Sequence, residues 1–212
     1  MNIQLSDRIN PVYRNLIRYR NNQSWGHLPP TDEIFDFFES VTEYTNVHRI
    51  LETGFNFGIS AATQLTVHPE ATLVSYDPLD WNISSGIYDN GYRFPLTNCR
   101  VSTIGKLVWG DRLVFHKHRS SRVTQDYPVN YFDYAFLDGD HSYEGLYMDV
   151  QCCIELKIPY VFIDNIEKVA DLAKVVEDVD NLVLIKDLQY TAIHPSLGTS
   201  ITDTIGLFEL KQ

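Results

Sequence analysis

The sequence has no apolar run near the roughly 18–20 residues that a membrane helix requires, so no spanning segment is expected. Residues 1–20 carry charges throughout and contain no apolar h-region, so no secretory signal is read there. Cysteine is scarce: Cys99, Cys152 and Cys153 are the only three in 212 residues. Their odd number makes no disulfide framework and their spacing matches no metal motif, which points to a reducing, cytoplasmic setting. Positive charge is also short, with 17 Lys and Arg against 28 Asp and Glu and a net charge of −11. Such a chain repels a phosphate backbone on average, which argues against nucleic acid as a partner outside a local basic patch. Internal repeats, low-complexity tracts and Pro/Ser/Gly-rich linkers are missing too, so a single domain is expected.

What is present is globular in kind: 44% of residues are hydrophobic and 21% charged. The domain is read as 31–212, preceded by an N-terminal extension, 1–30. The extension holds a basic aromatic cluster, Tyr13, Arg14, Arg18, Tyr19 and Arg20. A solvated helix packed on the core explains it simply, and contact with a substrate or with a second copy in a homodimer is the alternative. After Pro29-Pro30, Thr31 is a candidate N-cap with Asp32 and Glu33 suited to the helix dipole. Ile34, Phe37, Phe38, Val41 and Tyr44 then recur at helical spacing.

From residue 47 the pattern alternates. Strands are predicted over 47–52, 72–76, 112–118, 131–137 and 160–163, with helices over 59–67, 143–157 and 166–179. Leu146, Val150 and Ile154 mark the buried face of the second helix, and Val169, Leu172 and Val176 that of the third. Two strand-like runs, 182–188 and 204–210, end the chain without a helix between them. The fold class is therefore α/β: one doubly wound, mostly parallel seven-stranded sheet closed by an antiparallel C-terminal hairpin.

The first strand runs into Glu52-Thr53-Gly54-Phe55-Asn56-Phe57-Gly58-Ile59-Ser60, and Asp77 ends the next strand 23 residues after Gly54. That distance suits a carboxylate that accepts hydrogen bonds from ribose hydroxyls. A dinucleotide also needs a middle glycine for its pyrophosphate, and Asn56 stands there between two phenylalanines. A ligand with ribose and adenine but no phosphate fits better, and S-adenosylmethionine is such a ligand. Further along, Asp138, Asp164 and Asn165 end the fourth and fifth strands, where an open sheet binds its ligands. Two carboxylates and an amide form an all-oxygen set suited to Mg²⁺, Mn²⁺ or Ca²⁺. Helix capping is the competing reading, at least as good for Asn165 alone. His141 lies three residues past Asp138 and has the ordinary pKa of a general base. His116 and His118 are read as structural.

These residues resemble a known family. Leu51-Glu52-Thr53-Gly54 through Gly58-Ile59-Ser60 is similar to the first motif of class I S-adenosylmethionine-dependent methyltransferases. Asp138-Gly139-Asp140-His141-Ser142-Tyr143-Glu144 resembles the D-G-D-H-S-Y-E segment of one branch. Asp138 with Asp164-Asn165 resembles the metal site of the cation-dependent O-methyltransferases of the catechol and caffeoyl-CoA type, in which a lysine stands where this chain has His141. The resemblance spans 47–165 and implies a Rossmann-like methyltransferase fold. It implies cofactor contacts from Glu52, Gly54, Phe55, Asn56, Gly58, Ser60, Asp77, Ser120 and Asp138. Within that set, Glu52 and Gly54 serve the methionine end, Ser60 its carboxylate, Asp77 the ribose and Ser120 the adenine. It further implies a divalent cation, with Mg²⁺ first, on Asp138, Asp164 and Asn165, and catalysis by His141 and Asp138. Two departures stand out: Ile158-Pro159 replaces the usual Gly-Gly before the fifth strand, and 78–96 is long and aromatic.

The expected activity is methyl transfer to a hydroxyl of a small molecule, vicinal diols being one class of acceptor. An inactive binding or assembly protein on the same fold is the alternative. A hydroxylase-like relative would need an oxidant site, and no 2-His-1-carboxylate set stands out in the sequence.

Overall fold

The computed structural model describes residues 6–11, 28–55, 58–78, 106, 108–166, 172–193 and 200–211. Among them run α1 (Asp32–Glu39), β1 (Arg49–Thr53), α2 (Ile59–Val67), β2 (Thr72–Tyr76), β3 (Leu113–His116) and α3 (Val123–Asp126). There follow β4 (Tyr134–Leu137), α4 (Tyr143–Glu155), β5 (Tyr160–Ile163), α5 (Leu172–Asp178), β6 (Leu182–Ile193) and β7 (Ser200–Leu210). The strands form one sheet in the order β3-β2-β1-β4-β5-β7-β6. β1 to β5 pair in parallel, and β7 is antiparallel to both β5 and β6.

Alternation along the strands divides the core in two. Ile50, Leu73, Tyr134, Phe136, Phe162 and Leu207 face α1 and α2, which contribute Phe35, Phe38, Ala62 and Leu65. Leu51, Val74, Ala135, Val161, Ile163 and Phe208 face the opposite way, toward Leu146, Val150 and Cys153 of α4 and Val175 of α5. On the first face Phe38 meets Phe136 and Phe162 edge-on, with ring centroids 5.3 and 5.0 Å apart. Burying a phenylalanine side chain of this kind is worth about 1.5–3 kcal/mol.

Element boundaries depart from the sequence expectation for identifiable reasons. β4 starts at Tyr134 because Asp133 caps the neighbouring strand, its Oδ2 accepting the main-chain N–H of His48 and Arg49. Tyr131 and Phe132 instead pack with Tyr127 in an aromatic cluster. Thr31 takes the N-cap position of α1 without a side-chain hydrogen bond, and Tyr44 lies exposed outside the buried face. The turn before β5 works without Gly-Gly because Lys157 adopts φ +56°, the left-handed conformation glycine would supply. In α5 the buried residue is Val175, whereas Val169 and the side chains of Leu172 and Val176 lie outside the described residues. The terminal strands are longer than 182–188 and 204–210, since β6 and β7 continue pairing with each other to Ile193 and Ser200.

Residues 6–11 lie on the core: Ile9 is buried, Ser6 N–H donates to the Pro30 carbonyl, and Arg8 bridges Asp36 and Glu39. The cluster from Tyr13 to Arg20, together with Cys99 and 79–96, lies outside the described residues. No helix among the described residues is long and apolar enough to cross a membrane.

Candidate functional site

β1 sits at the point where the chain order reverses: β2 and β3 follow on one side, β4 and β5 on the other. Crevices of this kind, outside the carboxyl ends of parallel strands, are where ligands bind. The turn after β1 is stitched to both neighbours, Gly54 N–H donating to the Tyr76 carbonyl and Asp138 N–H to that of Thr53. Gly54 takes φ +87° and Gly58 φ +69°, both left-handed values that suit glycine. Phe55, expected at the cofactor, instead turns its ring into the core against Phe115 and under Gly58. Asn56 lies outside the described residues.

Glu52 also departs from expectation. It is fully buried, supporting the turn rather than lining the crevice, and accepts from Ser60 Oγ, Gln64 Nε2 and Ser75 Oγ at 2.6, 3.2 and 2.7 Å. Burial pushes its carboxyl up to about 8, against the pull of the two serine hydroxyls. Ser60 Oγ is engaged with Glu52 at 2.6 Å beneath the turn. Asp77 is buried at the end of β2, and its N–H donates to the His116 carbonyl.

Beyond β4 and β5 the expected acids do converge. His141 Nε2 stands 3.3 Å from Asp138 Oδ1. That hydrogen bond raises the imidazole above its usual range against the opposing effect of burial. Ser142, not His141, caps α4, its side chain accepting from Gly145 N–H. Asp164 is buried, and its carboxyl is held far above the usual range, first by burial and then by the neighbouring charge of Asp138. Tyr190 of β6 donates to its Oδ1 at 2.8 Å, and the Asn165 side-chain amide donates to its Oδ2. Asp203, opposite Tyr190 in the hairpin register, adds a third acid acting on both Asp138 and Asp164. Among the described residues no group of three or more His, Cys, Asp or Glu is arranged to hold a metal ion. The expected donor set is different in kind, two carboxylates and an amide oxygen.

On the opposite face lies an unforeseen carboxylate. Asp149 of α4, 5% exposed, accepts from Thr53 Oγ1 at 2.7 Å and from Ser120 Oγ. Burial pushes it up to about 6, while both hydroxyls pull it down. An acid in the apolar stripe Leu146, Val150, Cys153 was the readable signal for it. Tyr190 and Asp203 had none, because they reach the site only through long-range strand pairing. His116 stacks on Tyr76 and its Nε2 pairs with Tyr127 Oη at 3.1 Å.

No protein-family model and no curated protein matches the sequence. Solved structures do match in shape. The O-methyltransferase TomG from Streptomyces achromogenes, involved in tomaymycin synthesis and bound to S-adenosylmethionine, is similar at TM-score 0.62 and 11% identity, over 100% of this chain and 93% of that one. An O-methyltransferase from Bacillus cereus in complex with S-adenosylhomocysteine is similar at 0.61 and 12%, over 98% and 92%. A SAM-dependent O-methyltransferase from Thermotoga maritima is similar at 0.57 and 11%, over 92% and 71%. The chain thus has the Rossmann-like fold of S-adenosylmethionine-dependent methyltransferases.

Proposed function

We propose that the protein transfers the methyl group of S-adenosylmethionine to a hydroxyl of a small molecule. The observation that carries this reading is the gathering of Asp77, Asp138, Asp164 and Asp203 at the reversal point of a methyltransferase-type sheet. An acidic crevice suits a ligand that carries a sulfonium and an ammonium. Asp77 accepts from the ribose hydroxyls, and Gly54, with no side chain, lets the nucleoside lie close to the main chain.

The donor chemistry at Asp138, Asp164 and Asn165 also fits a hard divalent cation. The Asp164 carboxyl, raised by burial and by the charge of Asp138, would be relieved by a nearby positive charge. Such an ion supplies Lewis acidity at the acceptor oxygen. His141 takes the hydroxyl proton, with Asp138 steadying the imidazole. The acceptor oxygen attacks the methyl carbon in line, the carbon–sulfur bond breaks, and the sulfonium becomes a neutral thioether. The crevice contributes mainly by aligning the two reactants.

Calorimetric titration of the protein with S-adenosylmethionine and S-adenosylhomocysteine at pH 7.5 tests the reading. Saturable 1:1 binding is expected. Absence of binding to both would turn the reading to a non-catalytic scaffold on the same fold. With an accepted hydroxyl substrate, His141→Asn should lower turnover by roughly 10²–10⁴, the usual worth of a general base, with cofactor affinity unchanged.

A further inference from the structure

In a chain of net charge −11, residues 106–122 hold five Lys and Arg against the single Asp111. The densest part is the turn that follows β3, where Lys117, His118, Arg119 and Arg122 are all exposed. Other cations have partners. Arg8 and Lys186 pair with acids, and Arg112 donates to the carbonyls of Leu65, His68 and Ala71. Arg49 and Lys174 lie over tyrosine rings. Lys117, Arg119 and Arg122 form no ion pair among the described residues. Asp126, one helical turn past Arg122, instead accepts from Tyr76 Oη at 2.8 Å.

The turn is pinned at both ends and in its middle. The His116 carbonyl accepts the Asp77 N–H, Ser120 Oγ donates to Asp149, and Val123 is buried. The cations thus stand on a fixed main chain beside the end of β2. Their fields converge there: burial lowers the His116 imidazole, Asp126 opposes it, and His118, Lys106 and Arg122 lower it further.

Two guanidinium groups three residues apart, with a lysine close by, suit an anion with several oxygens, phosphate above all, which arginine grips in forked pairs. S-adenosylmethionine carries no phosphate, so the cofactor reading leaves this turn without a partner. A polynucleotide is a poor match, because a strand running past the turn meets exposed Asp111 and Asp126 on an acidic surface. We propose that the turn 117–122 is a docking surface for the phosphate of a small molecule distinct from the cofactor. The inference goes beyond the methyl-transfer reading and does not depend on it.

Calorimetric titration of the full chain with inorganic pyrophosphate, at pH 7.5 and low salt, is the test. Saturable binding is expected, weakening as salt is added. Arg119→Ala and Arg122→Ala should each lower the affinity by about tenfold, the worth of one hydrogen bond to a charged group. Their melting temperatures should stay parental, since both side chains are exposed. Lys211→Ala, which removes an exposed cation beyond β7, should bind as the parent does. No binding by the parent, parental affinity in both arginine variants, or an equal loss in all three variants would overturn the inference. So would far tighter binding of a single-stranded RNA of about 12 nucleotides, which would make the turn a polynucleotide surface. Saturating S-adenosylhomocysteine should leave the pyrophosphate affinity unchanged, and displacement would place the turn in the cofactor site instead. A parent that binds pyrophosphate but not S-adenosylhomocysteine overturns the cofactor reading and leaves this inference standing.

Discussion

A side-chain carbon on Gly54 would stand 2.0 Å from the main-chain oxygen of Asp138, well inside any tolerated contact. The turn after β1 and the one after β4 are thus in backbone contact, which brings the glycine motif and the acidic segment into one site. Gly54→Ala has to part the two turns and also hold a left-handed φ, which alone costs an L-residue about 1–2 kcal/mol. Urea unfolding should show at least that loss, and S-adenosylhomocysteine binding should fall with it. A variant with parental stability and affinity would show that the turns need no such contact.

Asp164→Asn tests the proposed ligand set. A neutral amide of the same shape still accepts from Tyr190 but turns its NH2 toward the Asn165 amide that donates to the parent carboxyl, so no gain in stability is expected from removing the raised acid. Added Mg²⁺ should raise the parent's melting temperature and leave the variant's unchanged. Equal Mg²⁺ responses would remove Asp164 from the proposed ligand set.

Glu52 makes stability depend on pH. The folded group titrates near 8 against an ordinary value of 4.5, so between those values the unfolded chain releases a proton that the native state keeps. Its contribution to stability is therefore lost progressively as pH rises from about 4.5 to 8, by on the order of 4 kcal/mol. Glu52→Gln can still accept on its amide oxygen and has no such titration. Unfolding free energies at pH 5 and pH 8 should differ less in the variant than in the parent, and equal differences would contradict the buried acid.

At the end of α4, Lys157 holds φ +56° in a place where glycine carries no steric penalty. Lys157→Gly should raise stability by about 0.5–1 kcal/mol in urea unfolding, the left-handed strain relieved less the entropy of a freer unfolded chain. A loss would mean that the lysine side chain holds the turn.

The parallel sheet was legible because β2 and β5 are short apolar runs flanked by breakers, and their observed ends match those read from sequence. Asp77, Asp138 and Asp164 were legible for a related reason: a single acid directly after such a run falls at the strand's carboxyl end. The burial of Glu52 and Ser60 was not legible, because spacing does not tell whether a polar side chain points into a crevice or beneath it. Their hydrogen bonds with each other and with Ser75 depend on the register between β1 and β2, a tertiary fact. Phe55 follows the same logic, its direction decided by the packing against Phe115.

The terminal hairpin reaches further than the sheet that anchors it. β7 is paired to β5 only from Gly206 to Glu209, and Ile166 N–H adds one bond to the Thr204 carbonyl. From Asp203 to Ser200 its described ladder partner is β6 alone. A two-stranded ribbon opens at far lower free energy than a central strand, so amides of this stretch should exchange with solvent well before those of β1 or β4. Tyr190 lies in the ribbon and is bonded to Asp164, so each excursion of the ribbon also unseats a hydroxyl from the acidic site. Deuterium uptake over residues 188–193 and 200–203 is therefore a clock for the site itself, running slower whenever Asp164 is engaged by a ligand.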